Sequence, residues 1–363
     1  MAEPKSKIDR HVLYSGTEEP PKHLALDAST LGAYLRKFID GLGSNFSVEK
    51  FKGGQSNPTY KLTNHDNGAC YVLRRRPPGE LLASAHDVKR EFKVISALST
   101  VKYPVPTPYH FCEDKSVIGS EFYVVSYSEG RVFWNNDLPN LSPYERTEIY
   151  TNMASWLARL HSIDFNAVGL GDLGRTENYL VRNFNRWSKL YEQSKLVEIP
   201  DMDWLIKKIS ELMPPEGKAC LLHGDYGLYN LIIDPEKPKI KAVLDWEMST
   251  LGDPFVDLAH HLRAWWEPVD HAGASSSLQG KDLPALGIPS MDDYIDNYCR
   301  AVGVSEIPYR SFYLGYAQFR YAAMVQGILK RAASGTASSR RVLHRQERVL
   351  EIAALARRTL QTN

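Results

Sequence analysis

The chain has 363 residues, 43% hydrophobic and 24% charged, ordinary proportions for a soluble globular protein and enough length for two lobes sharing a cleft. Lys plus Arg number 44 and Asp plus Glu 43, so no overall field draws the chain to nucleic acid or to a membrane surface. The four cysteines are far apart and form no CxxC pair, which points to buried thiols in a reducing compartment, and no run of about 18 apolar residues offers a bilayer span.

Residues 1–28 are polar and proline-bearing and read as a loosely attached tail. Met1 to Lys22 carries Glu3, Asp9, Glu18 and Glu19 and lacks both a secretory apolar core and the acid-poor character of a transit peptide. Gln361-Thr362-Asn363 is not a peroxisomal address, so the expected location is cytoplasmic. From Ser29 or Thr30, taken as a cap, Leu31, Tyr34, Leu35, Phe38 and Ile39 recur at helical spacing. Strand-like runs follow at 46–52, 59–63 and 70–74, with Asn64-His65-Asp66-Asn67-Gly68 as the turn between the last two. A helix is expected over 85–98, ended by Tyr103-Pro104-Val105-Pro106-Thr107-Pro108, and then a strand over 121–126. Beyond that the pattern is mostly helical, near 143–162, 309–331 and from 338. A β-hairpin is expected at 231–244, and a Ser/Gly/Ala-rich stretch at 273–287 reads as a flap.

The chemistry concentrates in His223-Gly224-Asp225-Tyr226-Gly227-Leu228-Tyr229-Asn230 and in Val243-Leu244-Asp245-Trp246-Glu247, whose Asp245 lies fifteen residues beyond Asn230. Asp225 is a carboxylate able to orient a substrate hydroxyl and accept its proton. The amide oxygen of Asn230 and the carboxylate of Asp245 are hard ligands suited to Mg²⁺ on ATP phosphates and poorly suited to zinc. Phosphoryl transfer is therefore the expected reaction, with ATP and Mg²⁺ as cofactors.

In the order and spacing of these motifs the chain resembles the aminoglycoside-phosphotransferase-like (choline-kinase-type) branch of the protein-kinase-like fold. More narrowly it is similar to the kinase-like domain that heads some multidomain acyl-CoA dehydrogenases. The resemblance spans roughly 31–355 and implies an α+β bilobal fold. Residues 29–128 would form a small mixed N-lobe with an antiparallel sheet, and residues 129–363 a larger, mainly helical C-lobe with catalytic loop, metal site and acceptor pocket. In the segment Phe51 to Tyr60, Gly53, Gly54, Gln55, Ser56 and Asn57 would approach the phosphates, although an ordinary glycine hairpin reads the same way in isolation. Arg74 stands where kinases place the phosphate-binding Lys, and Arg is usual there in this branch; Glu91 on the following helix would hold it. Arg75 and Arg76 read as surface charge or as contacts for an anionic substrate. The segment Phe122 to Gly130 resembles the hinge that binds the adenine edge through backbone groups, with Ser126 where an acidic residue is usual and Ser128 two residues on. His223 would support the loop. Glu247 would reach a second metal or its water, and Asp257 in Gly252-Asp253-Pro254-Phe255-Val256-Asp257 would hydrogen-bond the catalytic loop.

His260 and His261 cannot both face one site, because adjacent helical residues point about 100° apart. Trp265, Trp266, Glu267, Arg182, Arg186, Trp187, Tyr316, Gln318 and Arg320 are candidates for the acceptor wall, each with a plain structural alternative. The expected partner is a small-molecule hydroxyl acceptor. The resemblance implies a hydroxyacyl-CoA or hydroxy acid, with any acyl-CoA dehydrogenase step on a separate protein; aminoglycosides, choline, homoserine and sugars are also acceptors for such a fold. Relatives tend to carry Arg and Asp at positions 227 and 229, and Gly227 and Tyr229 here motivate the competing expectation of a nucleotide-binding pseudokinase. A protein kinase is disfavoured by the short interval between Asp245 and Asp257.

Overall fold

The structure is a computed structural model, and it describes residues 15–43, 45–53, 57–77, 87–269, 276–334 and 346–362. By internal contacts the chain divides into two compact units, one made of residues 1–135, 165–171 and 227–249, the other of residues 136–164, 172–226 and 250–363. The expected lobe boundary near residue 128 follows the chain, whereas the contacts group the hairpin segment 227–249 with the first unit.

The first unit is built on a six-stranded antiparallel sheet in the order β1-β2-β3-β4-β6-β5, where β1 is Thr17–Glu18, β2 Phe46–Phe51, β3 Thr59–Asn64, β4 Cys70–Arg75, β5 Pro108–Cys112 and β6 Phe122–Ser126. Alternation builds its core. Tyr60 and Leu62 of β3, Tyr71 and Leu73 of β4, and Phe122 and Val124 of β6 are buried against Leu31 and Leu35 of helix α1 (Ala28–Leu35). The β3–β4 turn closes on Gly68, whose φ of 75° suits a residue without a Cβ. Helix α2 (Val88–Thr100) starts at Asp87, whose carboxylate accepts the Arg90 N–H.

Several local expectations shift. The cap of α1 is Asp27, which accepts the N–H groups of Ser29 and Thr30. Residues 15–28 are tied to the sheet, with Thr17 opposite Phe51 and the Tyr60 hydroxyl donating to Leu24 O at 2.7 Å. Strand β5 was not expected, because Pro108 read as part of a breaker. It opens an edge strand, where the missing N–H costs no ladder bond. Arg75 is neither surface charge nor an anion contact: it lies on the core face of β4 and donates from Nε to Ser120 Oγ at 2.9 Å.

The second unit is mainly helical, with α3 (Pro143–His161), α4 (Tyr179–Ser194), α5 (Pro200–Glu211), α6 (Pro254–His261), α7 (Met291–Val302), α8 (Arg310–Ala333) and α9 (Gln346–Gln361). Helix α3 begins with Pro143 behind a reciprocal Ser142–Glu145 capping box, which satisfies two otherwise orphaned N–H groups. A short antiparallel pair, Cys220–Leu222 against Thr250–Gly252, sits among the helices. Part of the expected flap (273–275) and the expected helix start at 338 lie outside the described residues; Leu283–Leu286 is a short helix capped by Asp282. The α+β expectation therefore holds, with a small antiparallel-sheet unit and a larger mainly helical one. Among the described residues no helix is long and apolar enough to cross a membrane.

Candidate active site

In the first unit, the alternation that turns Tyr71, Leu73 and Arg75 into the core puts Arg74 on the other face of β4. Its Nε lies 3.0 Å from Glu91 Oε2, and its Nη2 lies 2.8 Å from Asp245 Oδ1 and 3.1 Å from Glu247 Oε2. One guanidinium thus spans three carboxylates. Burial alone would lower the Arg74 pKa, but the charges around it, Glu91 foremost, carry it above the ordinary arginine range. Burial pushes Glu91 up to about 7, against the pull of Arg74 and with further upward pushes from Asp245 and Glu247.

The hairpin Leu231–Ile233/Ile240–Val243 positions the candidate ligands. Leu231 is paired with Val243, and Leu244 N donates to Asn230 O at 2.8 Å, so Asn230 and Asp245 flank the same end of the ladder. Asp245 holds a left-handed backbone (φ 64°, ψ 61°), an unfavourable conformation for a non-glycine residue. The buried Trp246 secures it from one side, its Nε1 donating to Val243 O at 3.0 Å. Among the described residues no group of three or more His, Cys, Asp or Glu side chains is disposed to hold an ion. An Asn and an Asp that leave the remaining positions to phosphate and water suit magnesium. Three carboxylates against one guanidinium also leave an excess of negative charge, a composition that fits a divalent cation.

The phosphate-loop candidates divide. Gly54, Gln55 and Ser56 lie outside the described residues. Gly53 follows β2, and Asn57 is buried with neither amide atom partnered among the described residues. An orphaned amide costs about 1–3 kcal/mol, and a phosphate oxygen is an acceptor its N–H₂ group lacks. At the hinge candidate, Ser126 N donates to Thr107 O at 2.9 Å and Tyr127 N to Cys70 O at 3.2 Å. The Ser126 hydroxyl accepts Thr107 N at 2.9 Å, so that side chain braces the hinge. Among the described residues no hydrogen bond engages Ser128. Beside it the Tyr127 ring stacks on Phe51, with Lys61 Nζ 4.8 Å from the ring centre.

Asp225 belongs to the second unit, in the turn that follows Cys220–Leu222. Asp257, in the first turn of α6, accepts His223 N at 2.7 Å on Oδ2 and Gly224 N at 2.9 Å on Oδ1. Gly224 has φ 86°, which a side chain would strain. His161 Nε2 lies 3.3 Å from the same Asp257, and its Nδ1 lies 2.7 Å from the Tyr298 hydroxyl. Burial would raise the Asp257 pKa, but the His161 bond, the nearby His161 and His223 and the backbone N–H hold it well below the usual carboxylate range. His223 supports the loop through Nδ1, which accepts Asp225 N at 3.2 Å. His260 Nε2 is 3.4 Å from Asp225 Oδ1, whereas His261 Nδ1 meets Tyr226 O at 3.0 Å. Burial pulls His261 down to about 4, so it donates from Nδ1 as a neutral ring.

Most acceptor-wall candidates have internal duties. Trp265 Nε1 donates to Pro289 O at 2.9 Å, and Trp266 is buried. Glu267 is bound by Arg348 and the Tyr321 hydroxyl, and Tyr316 OH donates to Asn183 Oδ1 at 2.6 Å. Arg182 bonds Arg175 O, and Gln318 is buried with Oε1 unpartnered among the described residues. Arg320 differs. Its guanidinium lies over Trp187 (5.5 Å) and touches Gly224 O at 3.4 Å, and it makes no ion pair with any described carboxylate. Sequence reasoning missed His161: it read only as part of a helical run, and no local motif marks it.

The departures at 227 and 229 are a single feature. A Cβ on Gly227 would come within 2.7 Å of the Tyr229 ring, so the glycine is the space that the tyrosine fills.

The model of the phosphotransferase enzyme family matches residues 47–292, well over half of the chain, and the chain belongs to that family. It is 39% identical over 331 residues to mouse acyl-CoA dehydrogenase family member 10, covering 91% of this chain and 31% of that protein. To human acyl-CoA dehydrogenase family member 11 it is 37% identical over 328 residues, covering 88% of this chain and 41% of the relative. The chain thus spans less than half the length of these curated relatives. A crystal structure of a candidate aminoglycoside phosphotransferase from Ralstonia eutropha matches with TM-score 0.84 and 38% identity, covering 93% of this chain and 99% of that one. Fold and family are those of phosphotransferases, as the resemblance implied.

Proposed function

We propose that the chain is an ATP-dependent kinase that transfers the γ-phosphoryl group to a substrate hydroxyl. The observation that carries this is Arg74, one guanidinium held by Glu91 and in contact with Asp245 and Glu247. A phosphate-binding cation beside an excess of carboxylate is the composition that phosphoryl transfer requires. Arg74, Gly53 and Asn57, together with 54–56, would bind the phosphates. Ser128, with the backbone of Ser126, would meet the adenine edge. Asn230 and Asp245 would hold Mg²⁺, which supplies neutralisation of phosphate charge when bound. The acceptor hydroxyl gives its proton to Asp225 as its oxygen bonds to the γ-phosphorus and the bond to the ADP oxygen breaks. Asp225 then returns the proton to solvent.

For the acceptor we favour an anionic hydroxy compound, a hydroxyacyl-CoA or hydroxy acid. Arg320, a cation without a carboxylate partner among the described residues, touches the loop that carries Asp225 and supports this choice. The names of the long relatives, which refer to acyl-CoA dehydrogenases, point the same way, and an acyl-CoA dehydrogenase would be the pathway neighbour. An aminoglycoside polycation would be repelled there. The test is Mg²⁺-dependent ADP release across hydroxyacyl-CoA esters, hydroxy acids, aminoglycosides, choline and sugars. Asp225→Asn is expected to lower turnover about 10²–10⁴-fold with ATP binding retained. ATP binding without release for any acceptor would favour the pseudokinase; unchanged turnover in Asp225→Asn would remove the mechanism.

A further inference from the structure

We propose that His260 is a positioning residue for Asp225. As the neutral Nε2–H tautomer it donates to Asp225 Oδ1 and so orients the carboxylate that receives the acceptor's proton. The role in proton transfer rests on the kinase reading above.

The two nitrogens of His260 have unequal surroundings. Nε2 is 3.4 Å from Asp225 Oδ1, while Nδ1 is sealed from solvent and has no partner among the described residues. A proton on Nδ1 alone would orphan a buried N–H and set a bare nitrogen lone pair against a carboxylate oxygen. A proton on Nε2 meets the carboxylate, and only a lone pair is left unpaired at Nδ1. The doubly protonated ring would again orphan Nδ1–H, and burial and the charge of Arg320 both oppose that cation. A single tautomer satisfies the site. Because Nδ1 leads nowhere, His260 cannot pass a proton onward, which makes it a brace and not a relay.

The brace has a structural logic. Asp257 and His260 are three residues apart on α6 and so share a face. Asp257 fixes the backbone of the loop at His223 and Gly224, and His260 reaches the carboxylate that the loop presents. The Asp225 N–H is taken by His223, so backbone and side chain are held from different directions by one short helix and one histidine. The 3.4 Å separation is long for a hydrogen bond, as is common at catalytic groups without substrate.

The experiment has a spectroscopic and a kinetic arm. ¹⁵N-histidine NMR of the substrate-free protein, with His260 assigned through His260→Gln, is expected to show a neutral Nε2–H tautomer near pH 7 whose signals move in Asp225→Asn. An Nδ1–H tautomer, an imidazolium, or no response to Asp225→Asn overturns the proposal. In ADP release, with the acceptor from the panel or water as acceptor, His260→Leu is expected to lower kcat about 10–100-fold with KM for ATP unchanged. His260→Gln, whose amide nitrogen can take the place of Nε2, is expected to recover most of that loss. Wild-type kcat in His260→Leu, or no recovery in His260→Gln, also overturns it. If no phosphoryl acceptor is found, the kinase reading falls, and the NMR arm still decides the hydrogen bond.

Discussion

Glu91 and Asp257 are both buried carboxylates, one in each unit, and their surroundings push them in opposite directions. Asp257 accepts two backbone N–H groups and faces His161, so donors have replaced the water it lost. Glu91 has the Tyr123 hydroxyl and, 3.0 Å away, the Nε of a single guanidinium, which Asp245 and Glu247 also draw on. Burial depth is similar, but the number of dedicated donors differs. A carboxylate with its own donors becomes a fixed brace for a loop, whereas one that shares its cation keeps its affinity for a proton.

The comparison can be broken first at Asp257. Removing the acceptor of two buried N–H groups in Asp257→Ala is expected to cost about 3–5 kcal/mol in urea unfolding at neutral pH. Because the folded pKa is depressed, the contribution of Asp257 is present above its unfolded value of about 3.9 and is lost as pH falls towards the folded one. The gap between wild type and Asp257→Asn should therefore narrow below about pH 4, and a gap constant down to pH 3 would refute the depressed pKa.

Glu91 should behave with the opposite sign. Its pKa rises from an ordinary 4.5 to about 7, so the folded chain holds a proton that the unfolded chain releases between those values. Its contribution is complete below pH 4.5 and declines as pH rises to 7, by up to about 3 kcal/mol. Glu91→Gln, which cannot titrate, should gain on wild type across that window. Parallel stability profiles for the two proteins would show that Arg74 compensates Glu91 fully.

The smallest effect is expected at the Gly227–Tyr229 contact. Gly227→Ala forces the Tyr229 ring aside at a cost of about 1–3 kcal/mol. In Tyr229→Ala the same substitution should cost little, and the coupling would appear in a double-mutant cycle of thermal unfolding. Additive costs would mean that the ring and the glycine are independent.

Much of the candidate site was legible because its chemistry lies in two short segments. Asp225, Asn230 and Asp245 were readable from residue type and spacing, and the hairpin at 231–244 and the turn at 64–68 from apolar runs and glycine. Arg74 and Glu91 were paired by resemblance, and the structure places them in contact. Other features were not readable. Pro108 looked like a breaker because its neighbours in sequence are prolines, and only pairing with β6 makes it an edge strand. Arg75 looked like its neighbours Arg74 and Arg76, yet the pleat turns it inward. His161 and Asp257 are 96 positions apart, beyond any local pattern.

By itself, then, the sequence determined the family, the α+β class and most of the elements, and it nominated the candidate reactive side chains. These depend on local periodicity and on residue chemistry that does not change with context. The tertiary structure decided which of three adjacent arginines faces the carboxylates, that a histidine of α3 joins the Asp257 brace, that His260 and not His261 meets Asp225, and which buried acid is pushed towards a higher pKa. These outcomes depend on burial and on donors from distant parts of the chain, and only folding sets either.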